Sequence, residues 1–148
     1  MKYLTYDGQK KLIDELAYLT KEKRVEIARE LKIATDYGDL RENSEYDAIC
    51  MDFQIVESRI HEIEHILSDC CVYSKKNNGT VEIGSKVSLL IDDGIEEYEI
   101  VGFNESDILS NKISYESLIG RSILGKRVGD VINVDEINLY NVRIIEIK

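Results

Sequence analysis

Seven apolar residues, Tyr46, Ile49, Phe53, Val56, Ile60, Ile63 and Leu67, follow one another at separations of 3, 4, 3, 4, 3 and 4. No other feature of this 148-residue chain constrains its fold as tightly. On an α-helix the alternation draws one apolar stripe over three heptads, and such a stripe is stable in water only when another helix covers it. The partner lies upstream. Leu12, Leu16, Leu19, Ile27, Leu31 and Ala34 recur at helical spacing, interrupted by the polar turn Lys21-Glu22-Lys23-Arg24. Thr5 is a good N-cap, and Asp7 places an acid where the helix dipole favours one. The first helix is therefore expected from about Thr5 to Asp36. The connection Tyr37-Gly38-Asp39-Leu40-Arg41 is short enough only for antiparallel neighbours. Residues 1–74 are expected to form an antiparallel coiled-coil hairpin with an acidic tip near residues 36–45. At 1.5 Å per residue its arms would be roughly 45 Å long.

The pattern changes near residue 75. Glycine is rare before it (Gly8 and Gly38), and the remaining seven glycines punctuate short Val- and Ile-rich runs after it. Ser74-Lys-Lys-Asn-Asn-Gly79 reads as a polar linker. Beyond it, Val81–Ile83, Val87–Ile91, Glu97–Phe103, Ile108–Ser114, Val131–Val134 and Val142–Ile147 are expected as strands. Asp92-Asp93-Gly94 serves as a hairpin turn. Leu118–Leu124 reads as a short helix ended by Gly125, and the last strand alternates apart from the doubled Ile144-Ile145. Residues 79–148 thus form a small sheet crossed by one helix, and the whole chain is α+β.

Charge and composition narrow the functional classes. Nineteen basic and 29 acidic residues leave a net charge of −10. That argues against a protein that coats duplex DNA or a membrane surface, both of which need a broad basic field. No apolar run approaches the ~20 residues of a membrane span, and the N-terminus has no signal-peptide pattern. Three cysteines, two of them adjacent, make neither a disulfide framework nor a spaced zinc site. A cytoplasmic, reduced protein is expected. His61 and His65 are one helical turn apart but lack a third metal ligand, so a solvated helix flank describes them better. Neither a nucleophile–base constellation nor a phosphate-binding glycine loop is present.

The tip is the unusual place. Asp36, Asp39, Glu42 and Glu45 put four acids into ten residues. Two readings stand side by side. In one, Gly38 caps the first helix and Asp39-Leu-Arg-Glu42 forms a capping box for the second. In the other, carboxylates three residues apart share a hard divalent cation. Such an incomplete oxygen shell holds Mg²⁺ only when another macromolecule completes it.

Tyr37-Gly-Asp-Leu-Arg-Glu-Asn-Ser-Glu-Tyr46 closely resembles the tip motif of the Gre family of bacterial transcript-cleavage factors, G-D-L-[KR]-E-N-[AS]-E-Y. Leu4-Thr5 with Gly8 and Lys11-Leu12 through Glu15-Leu16 resemble the family's opening helix. Val56-Glu-Ser-Arg-Ile60 resembles the end of its second helix. Ile119-Gly-Arg-Ser-Ile-Leu-Gly-Lys-Arg-Val-Gly-Asp130 is similar to its C-terminal I-G-[RK]-A-L-[LI]-G-K-x-x-G-D segment. The resemblance covers nearly the whole chain.

It implies a coiled-coil hairpin followed by a domain like an FK506-binding protein. It also implies a partner, bacterial RNA polymerase. The C-terminal domain would dock at the rim of the polymerase secondary channel, and the hairpin would enter it to meet the extruded 3′ end of a backtracked RNA. Asp39 and Glu42 would help hold a weakly bound Mg²⁺ and orient the attacking water, with no cofactor bound stably by this chain alone. The protein would be a monomeric activator of the polymerase's own RNA cleavage and not a nuclease. Asn43 and Glu45 would contact polymerase or RNA. Arg29, Lys32, Arg41 and Arg59 are the candidate cations for steering RNA. One departure bears on this role: Cys50 stands where the family usually has a basic residue facing the RNA path. It keeps open a second reading, a related regulator that occupies the same channel and cleaves poorly or inhibits.

Overall fold

The computed structural model describes residues 2–36, 44–134 and 141–148. It divides into two compact units, Gln9–Asp69 and a second made of Met1–Gly8 with Cys70–Lys148.

The first unit is the helical hairpin. Its first arm is α1 (Tyr6–Tyr18) and α2 (Arg24–Asp36), joined without a break by the π-helical turn Leu19–Lys23. Its second arm is α3 (Ser44–Asp69). The π turn explains the polar interruption. Leu19 and Ile27 are eight residues apart, one more than a heptad. At about 100° per residue, eight residues overshoot two α-turns by about 80° and would swing Ile27 off the seam. A π turn absorbs one extra residue. Arg24 N–H accordingly donates to Leu19 O, five residues back. Thr20 Oγ1, at the entry of the turn, donates to Leu16 O at 2.8 Å. Both Leu19 and Ile27 end up buried in one core with Val56, Ile60 and Ile63, flanked by Leu12, Leu16, Ile49 and Leu67.

The phase argument has a direct test. Deleting the exposed Glu22 restores heptad spacing and removes the need for the π turn. Far-UV dichroism is expected to stay unchanged and Tm to hold within about 4 °C. An alanine inserted after Glu22 instead turns Ile27 away from the seam, at a cost of about 2–3 kcal/mol in urea denaturation.

Ion pairs pin the register of the two arms. Arg24 reaches Glu57 with two bonds, Nε–Oε1 2.7 Å and Nη2–Oε2 3.0 Å. Arg59 reaches Glu15 in the same way, Nε–Oε1 2.7 Å and Nη2–Oε2 2.9 Å. The two pairs straddle the π turn. The expected seam is also uneven. Val56, Ile60 and Ile63 are buried, whereas Phe53 is 42% exposed and Ile66 is buried in addition to the heptad set.

The second unit begins with β1 (Lys2–Leu4), which pairs in parallel with β2 (Cys70–Val72). The ends of the chain entering and leaving the hairpin therefore lie side by side. Cys70 and Cys71 are the first two residues of β2. The main sheet contains, among the described residues, β3 (Lys86–Ile91), β4 (Gly94–Val101), β5 (Lys112–Ser114), β6 (Val131–Asn133) and β7 (Asn141–Ile147). Their order is β5-β4-β3-β7-β6. All neighbours are antiparallel except β4 and β5. The helix α4 (Leu118–Ile123) buries Ile123 against Val81, Val87, Leu89, Ile100, Val142 and Ile144, with Ile119 beside it. The α+β class expected from pattern is thus the observed one.

Several local expectations are corrected. Val81–Ile83 forms no strand; Thr80 makes an isolated bridge to Arg127, and Val81 and Ile83 are buried as loop residues. Ile108–Ser114 is a strand only from Lys112. Asp107 captures the segment before it by accepting from Leu109 N and Ser110 Oγ, which winds Ile108–Ser110 into a 3₁₀ turn. In the β3–β4 hairpin the positive φ falls on Asp92 (55°), and Gly94 pairs as the first residue of β4. The doubled Ile144-Ile145 is a β-bulge. Ser88 pairs with Glu146 and Leu89 with Ile144, so Ile145 is the extra residue, and Val142 and Ile144 stay on the buried face.

The stretch expected as a linker is a tethered turn. Glu82, only 4% exposed, accepts from Tyr73 Oη (3.0 Å), Lys76 N (2.8 Å) and Asn77 N (2.9 Å). Burial works against its ionisation, yet these bonds and the nearby Lys75 charge outweigh it and hold the carboxyl below its ordinary value of 4.5. A depressed carboxylate contributes stability above its unfolded pKa and loses it as pH falls through its folded one. Glu82→Gln is expected to cost about 1–3 kcal/mol at pH 7. The difference from the unmutated chain should shrink below about pH 4.5. Urea midpoints measured at both pH values check this.

Candidate functional site: the hairpin end and its supports

Asp39, Arg41, Glu42 and Asn43, which carry the candidate chemistry, lie outside the described residues, as do the expected cap at Gly38 and the capping box. What is described is the frame that presents them. Helix α2 ends at Asp36 and α3 begins at Ser44, so the motif occupies the connection between the two arms. Ala34 is buried near the end of α2, while Thr35 and Asp36 are exposed. Thr35 Oγ1 donates to Leu31 O at 2.7 Å. Glu45 and Asp47 stand exposed in the first turn of α3, where the helix dipole stabilises their charge. Asp36 and Glu45, the outer members of the four-acid group, are thus both on the surface.

Tyr46 and Cys50 are half-buried one turn apart on α3. The Tyr46 hydroxyl is raised above its ordinary pKa, first by its hydrogen bond with Cys50 and next by the cysteine's charge. Cys50 therefore interacts with the residue that opens the seam. Arg29 and Lys32 are exposed on α2 and make no ion pair among the described residues, so their charge is available to an anionic partner. Arg59 differs. Its guanidinium is bound to Glu15 on two nitrogens and to Glu62 on the third, at 2.8 Å. Those partners raise its pKa, and Arg59 in turn holds Glu15 below its usual value. Arg59, one of the four candidate cations, is thus engaged in ion pairs within the hairpin. His61 and His65 approach Glu64 (3.9 Å) and Asp69 (3.4 Å) on the open face of α3. Among the described residues no group of three or more His, Cys, Asp or Glu is placed to hold a metal, and no helix is long and apolar enough to cross a membrane.

One residue that pattern reading missed stands at the foot of α1. Thr5 Oγ1 accepts from Gly8 N–H at 3.0 Å, which makes it the N-cap. A capping box would place Glu three residues later to accept from the Thr5 N–H; the chain has Gly8 there. The reciprocal bond comes from Glu105, one hundred residues further on, whose Oε2 accepts from Thr5 N at 2.9 Å. The signal was a capping box missing its acid, but nothing in the local sequence says where the acid would come from.

A two-arm helical hairpin with an acidic motif in its connection, together with a second unit built on a mixed sheet, defines a class of two-unit α+β factor. Comparison with known proteins places the chain. Residues 2–72 match the family model described as transcription elongation factor, N-terminal, and residues 76–148 match the GreA/GreB C-terminal model. The transcription elongation factor GreA of Clostridium acetobutylicum is 44% identical over 151 aligned residues, covering 97% of this chain and 95% of that protein. GreA of Thermoanaerobacter pseudethanolicus is 42% identical, covering 98% and 96%. The solved structure of the GreA factor homolog 1 protein of Thermus thermophilus is 26% identical, with a TM-score of 0.46, covering 99% of this chain and 97% of that one. The chain belongs to the GreA/GreB family of transcription elongation factors.

Proposed function

We propose that this protein acts in the cytoplasm on bacterial RNA polymerase, entering its secondary channel hairpin first and stimulating the polymerase's intrinsic cleavage of backtracked RNA. The observation that carries the reading is the acidic motif Asp39-Leu-Arg-Glu42 placed between α2 and α3, at the end of a hairpin whose register is pinned by bidentate ion pairs. Family membership and the GreA relatives support the choice of partner.

The donor chemistry fits Mg²⁺. Two carboxylates are hard oxygen ligands, and a pair is too few to hold the ion alone. When bound beside a second ion in the polymerase, Mg²⁺ supplies charge neutralisation and an acidified water for phosphodiester hydrolysis. Asp39 and Glu42 contribute negative oxygens that complete its shell and orient the attacking water. Arg41, with Arg29 and Lys32 on α2, attracts the phosphates of the RNA 3′ end. The chain supplies part of a site and no complete one, so it is an activator and not an enzyme by itself.

Stalled elongation complexes with purified polymerase test the proposal: adding the protein is expected to shorten the RNA from its 3′ end. Cys50, at the position the family usually fills with a basic residue, favours the second reading. That reading predicts slowed elongation without shortening.

A further inference from the structure

Three tyrosines far apart in the chain line one cavity of the second unit. Tyr3 lies in β1, Tyr73 follows β2 and Tyr115 follows β5. The Tyr3 and Tyr73 ring centres are 5.7 Å apart with their planes at 89°, and those of Tyr3 and Tyr115 are 6.2 Å apart at 66°. Rings set so steeply make adjoining walls and not a stack. The cavity has a volume of about 270 Å³, room for a head group and not for a drug-sized ligand. Two of the hydroxyls are already committed. Tyr115 Oη accepts from Tyr3 N–H at 3.1 Å, and Tyr73 Oη donates to Glu82 Oε1 at 3.0 Å. Those bonds orient their rings, and the surface left for a guest is mainly aromatic.

Glu82 supplies charge to the same cavity. Its buried carboxylate is ionised, yet its three donors are all neutral: one phenol and two backbone N–H groups. Lys75 acts on it from further off, with its own ammonium bonded to Lys148 O at 2.9 Å. A carboxylate has about four lone-pair sites, and three donors already occupy Glu82. A guanidinium fork seeks two free acceptors, and a primary ammonium brings three donors of its own. A quaternary ammonium brings none. Its spread charge is drawn to ring faces and to a nearby carboxylate without a hydrogen bond.

We propose that Tyr3, Tyr73, Tyr115 and Glu82 form a binding site for the quaternary ammonium group of a small molecule. The site stands apart from the functional reading above and needs neither polymerase nor RNA. Lys76 is the one basic residue among those that line the cavity, and it is exposed. Its charge opposes such a guest, which makes the sign of the interaction measurable.

The probe is choline, titrated into the full chain and followed by the NMR signals of the tyrosine rings. Shifts at all three rings are expected, with a Kd on the order of 1 mM. Sodium chloride at the same concentration should not reproduce them. Dimethylbutanol, the uncharged carbon isostere of choline, should bind at least about ten-fold more weakly. Tyr3→Phe keeps the wall and should hold the affinity within about three-fold, whereas Tyr3→Leu should weaken it at least about ten-fold. Lys76→Gln changes an exposed side chain and keeps the backbone N–H that Glu82 accepts from. It should tighten choline at least about two-fold, and it reads the site even if Tyr3→Leu does not fold.

Tyrosine signals that stay put at about 50 mM choline overturn the proposal. Equal binding of dimethylbutanol does so too, since it would make the cavity a merely apolar one. So does choline binding that Tyr3→Leu leaves intact, or that Lys76→Gln leaves unchanged or weakens. A trimethyllysine peptide carries the same head group; if it binds more than about ten-fold tighter than choline, the small-molecule assignment fails and the site belongs to a protein partner.

Discussion

Asp39→Asn and Glu42→Gln are each expected to reduce stimulated RNA shortening at least about 100-fold, while leaving binding to polymerase within about two-fold. The amide keeps the size and shape of the carboxylate and removes the charge that, on the proposed function, draws Mg²⁺. Neither position belongs to the heptad sets read from the sequence on the two arms, so stability is expected to be unaffected. Shortening of 3′-labelled RNA in halted complexes, run beside a competition-binding assay, separates the two effects. Full activity in the double variant removes these carboxylates from the mechanism. A matching loss of binding makes them docking residues instead.

Ile63→Ala is expected to cost about 3–4 kcal/mol, and Phe53→Ala less than about 1 kcal/mol, in urea denaturation followed by far-UV dichroism. The heptad pattern treats these two positions alike. In the structure Ile63 is fully buried, with Ile60 and Val56 as neighbours in the core, whereas Phe53 is 42% exposed. Truncating the first leaves a cavity that rigid helices cannot close. Truncating the second removes surface already in water. Equal costs at both sites would mean that the hairpin closes on Phe53 more fully in solution.

Much of the fold was legible because helical and strand periods are local. The 3-4 spacing of α3, the Thr5 cap and the short helix ended by Gly125 all depend on residues within a turn or two of one another. Gly125 follows that helix at φ 80°, and the structure adds the cap at its start, where Ser117 Oγ accepts from Gly120 N at 3.1 Å. The doubled isoleucines near the C-terminus were visible as a break in alternation, and pairing with β3 turned that break into a bulge. Where pattern reading failed, a side chain competed with the backbone. Asp107 bent an apolar run into a 3₁₀ turn, and Glu82 drew a presumed linker around its carboxylate. The acidic motif could be picked out as a candidate site for another reason: its residue types and their order are read directly from the chain.

The amino-acid order alone determined that two antiparallel helices must share one seam, that a small sheet follows, and that two carboxylates sit three residues apart between the arms. Only the tertiary structure decided which charges remain available. Arg59 and Arg29 look equivalent on paper, yet Arg59 faces Glu15 across the hairpin and Arg29 faces solvent. Only the tertiary structure, likewise, brought Glu105 to Thr5 across one hundred residues. The physical reason is the range of the forces involved. Periodicity reports which face of an element is apolar, but a hydrogen bond or ion pair requires atoms within about 3 Å. Which distant residues come that close is settled when the sheet pairs and the helices pack.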